Sequence, residues 1–276
     1  MDPDCQIIWT LGKIIICLSV LFCLAANALW VMYEKEGVIF EVLKWPEKII
    51  NRIAITYFYL STSLLLICIS KAFVFQAPSL MRFMILHPNM VILSTVALMT
   101  ILTTILELTP YTKKYTLMKC GAWILHSVAM GPSLAFFGSH ICNMAVFSTV
   151  LAIISASAVG FIAPKDFYLK LENYISYLYT TVTVSSILCI LFNPPVTPIG
   201  IFCITLNFFG GMILYFGVFI VNTQYFLNDV KTNDEYDPIY TACVMFLCSL
   251  NLYLRIAMYF VVELTNLTDP FSVSSL

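Results

Sequence analysis

Charge is what this chain has least of. Fourteen Lys and Arg and fifteen Asp and Glu make up 11% of 276 residues, with a net charge of −1. A soluble domain carries about 25%. A near-zero balance leaves no basic field to hold nucleic acid. Nor can a soluble globule hide a chain that is 61% hydrophobic, with mean hydropathy +0.92, because its surface must still face water. Cysteine motifs are missing too. The ten cysteines include no C-x-x-C pair and no Cys/His group at zinc spacing. Most fall inside apolar runs, where they read as small hydrophobes packed between helices. No P-loop, nucleophile elbow or dinucleotide fingerprint occurs; GGMIL (210–214) lacks the spacing and the strand–helix context. The chain is therefore not expected to be an enzyme or to hold a metal or cofactor.

What the chain does have is long apolar runs. About 20 residues at 1.5 Å rise span the hydrocarbon layer. Eight runs qualify: Ile7–Met32, Ile53–Phe75, Met90–Leu106, Gly121–Phe137, Ile141–Ala163, Ile175–Phe192, Ile199–Phe226 and Tyr240–Val262. Pro164, Pro194, Pro195 and Pro238 sit between runs, where helices stop or start. The sequence thus predicts an all-α polytopic membrane protein. Ten Lys and Arg, Lys119 among them, fall in the loops after the odd-numbered spans. Three (Lys13, Lys71 and Arg82) fall on the other side, which places both termini outside. The start, MDPDCQ, opens on aspartates rather than the positive charge of a secretory signal or the arginines of a transit peptide. Any mitochondrial import signal is then expected to be internal or outside this chain.

Polar groups at bilayer depth cost free energy unless they face protein or water, so they mark candidate sites. Cys248, Asn251 and Arg255 are spaced i, i+3, i+7 and share one face of the last span. That face reads as an ion path or gate, or as a structural arginine bonding helix-end carbonyls or snorkelling. Asn222 lies near the end of the seventh span, behind Gly210 and Gly211, which let another backbone approach. Taken alone, an interhelical hydrogen bond explains Asn222. His126 is a candidate proton relay because imidazole titrates near neutrality; hydrogen bonding within the bundle is the plainer reading. Glu107 and Glu263 sit at span ends as interfacial anchors, and the sequon Asn266-Leu-Thr268 lies too near the last span for modification.

Six stretches carry a family resemblance. They are WPEKIINRIAITYFYLSTS (45–63), AWILHSVAMG (122–131), APKDFYL (163–169), LFNPPVT (191–197), GGMILYFGVFIVNTQ (210–224) and YDPIYTACVMFLCSLNLYLRIA (236–257). Together they resemble the mitochondrial branch of the Bax-inhibitor motif family, from about Lys13 to Val262. The resemblance implies helices packed around a central polar C-terminal helix, preceded by one extra N-terminal span. It divides the chain into an N-terminal helix and charged loop (1–45), a Bax-inhibitor-like domain (46–264) and a short tail (265–276). It also implies Ca²⁺/H⁺ handling, cristae organisation and apoptosis regulation in the mitochondrial inner membrane, with the endoplasmic reticulum membrane as the alternative address. The partners would be the lipid bilayer, Ca²⁺ or H⁺ as transported ions, and other membrane proteins.

Two departures stand out. The family pattern implies Asp-Thr-Gln at the end of the seventh span and Asp-Thr-Leu-Asn in the eighth, a pair credited with pH sensing and cation passage. This chain has Asn222 and Cys248 there, while Thr223, Gln224, Leu250 and Asn251 remain. Neighbouring carboxylates share a proton, which brings one of them to titrate near neutral pH. Asn cannot titrate, and hard cations want oxygen ligands that a thiol does not supply. Weak or absent exchange by the family mechanism follows, and a non-transporting, partner-binding paralogue is the competing reading.

Overall fold

The computed structural model describes residues 45–135, 139–163, 167–191, 202–203 and 206–268. The expected span Ile7–Met32 and the prolines 164, 194 and 195 lie outside them. The described residues form eight α-helices and no strand: α1 Glu47–Gln76, α2 Pro78–Leu86, α3 Pro88–Leu108, α4 Thr116–Ala135, α5 Ser139–Ile162, α6 Phe167–Leu191, α7 Gly211–Thr232 and α8 Pro238–Thr268. A π-helical turn, Leu206–Gly210, leads into α7. Proline sets several starts. Pro78, Pro88 and Pro238 each occupy the first helical position, where a missing N–H costs nothing. The short helix α2 falls in a stretch that the apolar runs leave as a loop.

Among the described residues, five helical segments are long and apolar enough to cross a membrane: Glu47–Gln76, Pro88–Leu108, Asn143–Phe161, Leu206–Thr232 and Pro238–Val261. α4 and α6 stand where the fourth and sixth spans are expected, and α4 turns Lys119, His126 and Ser127 into protein rather than outward.

The described chain divides into two compact units. The first comprises Trp45–Asn143 and Tyr225–Leu247; the second is built from residues 144–224 and 248–268. In the first unit α1 packs along α4, and their contact is set by Gly131. A Cβ there would lie 2.4 Å from Ser70 Oγ and 2.8 Å from the backbone nitrogen of Lys71, so only hydrogen fits. The approach is used. Pro132 lies inside α4 and supplies no N–H to the Val128 carbonyl one turn back. Ser70 Oγ donates to that oxygen instead, at 2.9 Å. Leu106, Trp123, Ile239 and Cys243 form a buried apolar cluster in this unit. Trp123 Nε1 donates to Ser63 Oγ at 2.8 Å, which satisfies both groups inside it.

In the second unit, Gly160 of α5 does the same for α7. A Cβ there would fall 2.7 Å from Thr223 Cβ. α6 packs on the π-helical turn, with Val182 Cγ2 3.2 Å from where a Cβ of Gly210 would stand.

Candidate functional site

The polar residues of the second unit gather on α7 and α8. Asn222 Nδ2 donates to Cys248 Sγ at 3.0 Å, so the two positions expected to face each other do so. Both are half-buried. Thr223 is fully buried and donates to the Phe219 carbonyl one turn back, at 2.8 Å. Gln224 Nε2 donates to the carbonyls of Gly160 at 2.6 Å and Ala163 at 3.0 Å. Those carbonyls close α5, where helical donors run out, so Gln224 caps that end. Arg255, two turns further along α8, donates to Asn207 Oδ1 on the π-helical turn, and Asn207 Nδ2 donates to Ser186 Oγ of α6. Gly211 makes room: its Cβ would stand 3.1 Å from Arg255 Nε. The expected approach at Gly211 is therefore to an arginine side chain, and at Gly210 to Val182, rather than to a second backbone. Asn251 is half-buried on the helix face between Cys248 and Arg255.

This arrangement fits some chemistry and not other chemistry. The groups at 222 and 248 are an amide and a thiol, and the nearest fixed charge on the stripe is a guanidinium. A titrating carboxylate is absent from these positions. Hard cations are met by oxygen donors, preferably anionic, and here the amide hydrogen bond goes to sulfur.

His126 belongs to the first unit. It is fully buried, its Nε2 is 3.1 Å from Thr103 Oγ1, and Cys243 Sγ lies 3.7 Å from the same nitrogen. Phe246 meets the ring edge-on at 5.7 Å. These partners satisfy the imidazole inside the bundle.

The same unit holds charged residues that the sequence did not single out. Lys119, counted among the loop lysines, lies inside α4 and is 1% exposed. Its Nζ donates to the Thr109 carbonyl at 2.6 Å and to the Asp237 carboxylate. Asp237 caps α8, accepting the backbone N–H groups of Ile239 and Tyr240 at 3.1 Å each. Lys71, near the end of α1, is also buried and donates to Asn143 Oδ1 at 3.3 Å. Arg52 ties α1 to the α7–α8 link, donating to the carbonyls of Val230 at 3.0 Å, Asn233 at 2.6 Å and Asp234 at 2.9 Å. Its guanidinium lies over the Tyr236 ring, 5.5 Å from the centroid. Beside these residues opens a cavity of about 630 Å³, walled in part by Arg52, Glu107, Tyr111, Asp234, Tyr236 and Asp237. Burial pushes the Tyr236 phenol up to about 12, against hydrogen bonds to Thr56 and Thr241 that pull it down. Burial and the Asp237 carboxylate raise Tyr111 as well. Asp234 is held low by its hydrogen bond to Lys48, 3.0 Å away. Glu107 is exposed on the cavity wall at the end of α3. The side chains of Glu263, Asn266 and Thr268 lie outside the described residues.

Residues 50–263 match the model of the family described as inhibitor of apoptosis-promoting Bax1. The chain belongs to that family. Among curated relatives, this family member is similar to the growth hormone-inducible transmembrane protein of Rattus norvegicus. The two are 27% identical over 234 residues, which cover 82% of this chain and 67% of the relative. No solved structure matches the chain.

Proposed function

We propose that this Bax1-inhibitor family member works in the mitochondrial inner membrane, in ion handling and membrane organisation linked to apoptosis, with carboxylate-dependent Ca²⁺/H⁺ exchange weakened. The observation that carries the reading is the hydrogen bond between Asn222 Nδ2 and Cys248 Sγ. The family resemblance assigns a proton-sharing aspartate pair to these two positions, and this chain pairs them as neutral groups. The neighbouring polar contacts, Gln224 on the end of α5 and Arg255 on Asn207, are compatible with a bundle that keeps its helix packing when the titrating pair is gone. The same loss supports a second reading, a membrane protein that acts through binding partners and transports nothing.

Proteoliposomes separate the two. With a pH gradient imposed, Ca²⁺ uptake by the native protein is expected to be slow, and uptake by Asn222→Asp/Cys248→Asp at least about tenfold faster. No uptake by either version leaves the partner-binding reading standing, and fast native uptake overturns the weakened-exchange reading. Fractionation of cells carrying a tagged full-length chain tests the address: recovery in the endoplasmic reticulum alone contradicts the inner membrane.

A further inference from the structure

The short helix α2 stands between two membrane-spanning helices and cannot cross with them. Its nine residues rise about 13 Å, against a hydrocarbon layer of about 30 Å. Proline fixes its departure from both neighbours. Ala77 precedes Pro78 and His87 precedes Pro88, and a residue before proline is pushed out of the helical region. Ala77 stands at ψ 86° and His87 at ψ 52°, so α2 continues neither α1 nor α3. Met84 fastens one side of it. That side chain is buried with Val74 of α1 and Ala135 of α4, and Val91 of α3 packs against them. The other side is open. Phe83, Ile85 and Leu86 are half exposed or more, and helical spacing sets the exposed Arg82 between Ile85 and Leu86.

An arginine set among exposed apolar side chains suits neither water nor hydrocarbon. Water would leave the apolar residues uncovered, and hydrocarbon makes the charge costly unless it reaches the interface or a partner. Arg82 makes no hydrogen bond or ion pair among the described residues. No carboxylate is near it in the chain. The sequence has no Asp or Glu in 48–106 or 108–165, and Glu47 and Glu107 stand at the far ends of α1 and α3, beside the acidic α7–α8 link. Lys71, toward the end of α1, is buried and donates to Asn143. A cleft of about 420 Å³ opens on this side of α2, lined by Phe75, Pro78, Met81, Arg82, Ile85 and Leu86. Its lining is apolar except for the one cation, which is complementary to an apolar chain that ends in an anion.

We propose that α2 is an interfacial helix that docks an anionic phospholipid, with the headgroup phosphate on Arg82 and an acyl chain in the cleft. A guanidinium presents the paired N–H donors that phosphate oxygens accept. The proposal stands apart from the Asn222–Cys248 pair and from the choice of membrane, and is read by lipid contact rather than transport, so either can fail without the other.

Brominated phospholipids test the contact locally. Phe83→Trp sets an indole on the open side of α2, and the fluorescence of the unsubstituted chain, measured in parallel, is subtracted to remove the native tryptophans. The full chain is reconstituted in phosphatidylcholine vesicles that carry a minor fraction of brominated phosphatidylglycerol or of brominated phosphatidylcholine. Bromines near the headgroup are expected to quench the indole more than bromines near the chain end. The phosphatidylglycerol is expected to associate about fivefold more strongly than the phosphatidylcholine, the preference that one basic side chain gives at an anionic surface. Arg82→Gln in the Phe83→Trp background should abolish that preference, and Arg82→Lys, which keeps the charge, should retain most of it. Equal quenching by the two lipids overturns the proposal, as does a preference that survives Arg82→Gln. An indole that neither lipid quenches shows α2 covered by protein and overturns it as well. Leu86→Trp carries the same measurement if Phe83→Trp does not fold, judged by helical circular dichroism and elution volume.

Discussion

The two units satisfy their interior polar groups with different chemistry. The second uses neutral donors and acceptors for most of its contacts: Asn222 on Cys248, Gln224 on the end of α5, Asn207 on Ser186, with Arg255 held by an amide. The first adds charged contacts to neutral ones such as Trp123 on Ser63. Lys119 is paired with Asp237, and Arg52 is spread over three carbonyls and an aromatic ring. A neutral pair costs little to bury and little to lose, whereas a buried ion pair is costly to break on one side. The two positions where the resemblance expects aspartates, 222 and 248, lie in the second unit and carry neutral groups.

The contrast can be broken experimentally, and the largest effect is expected at Asp237. Asp237→Asn leaves Lys119 buried without its counter-charge and should cost about 3 kcal/mol in detergent unfolding, somewhat muted because Asp237 is one-fifth exposed. A cost no larger than that of Asn222→Ala would erase the distinction between the units. Packing comes next. Gly131→Ala forces a Cβ against Ser70 and the backbone of Lys71, and about 2 kcal/mol of destabilisation is expected. Asn222→Ala removes one interhelical hydrogen bond to a thiol and should cost about 1 kcal/mol or less, read by the same unfolding measurement. The smallest effect is confined to alkaline solution. Tyr236 binds its proton more tightly in the folded chain, up to about 12 against the ordinary 10. Its contribution to stability is complete below pH 10 and is lost as pH rises through 12. Tyr236→Phe should flatten that decline without changing stability at pH 7 by more than the loss of its bonds to Thr56 and Thr241.

Much of the fold was legible in the sequence because its signals are local. Apolar runs placed α1, α3, α5 and α8 to within a few residues or one to two turns, since a span needs only its own length and composition. The π-helical turn at Leu206–Gly210 was not legible: it interrupts an apolar run without changing it, and its consequence, Asn207 meeting Arg255, depends on another helix. Lys119 was misplaced for the same reason. It follows the exposed lysines 113 and 114 in a polar stretch, and only the fold brings Asp237 to it from the start of α8. The tight positions Gly131 and Gly160 carry no motif, whereas the conspicuous pair at 210 and 211 proved looser. The opposition of positions 222 and 248 was legible through the family pattern, and the structure places the two side chains in hydrogen-bond contact.

The measurement closest to the central claim is the pH profile of Ca²⁺ flux in proteoliposomes between about pH 6 and pH 8. With an amide and a thiol at 222 and 248, native flux should be low and flat across that range. Asn222→Asp/Cys248→Asp should introduce a pH-dependent flux, because two facing carboxylates share a proton. A native profile already steep in pH would show that a titrating group elsewhere governs transport, and would contradict the account.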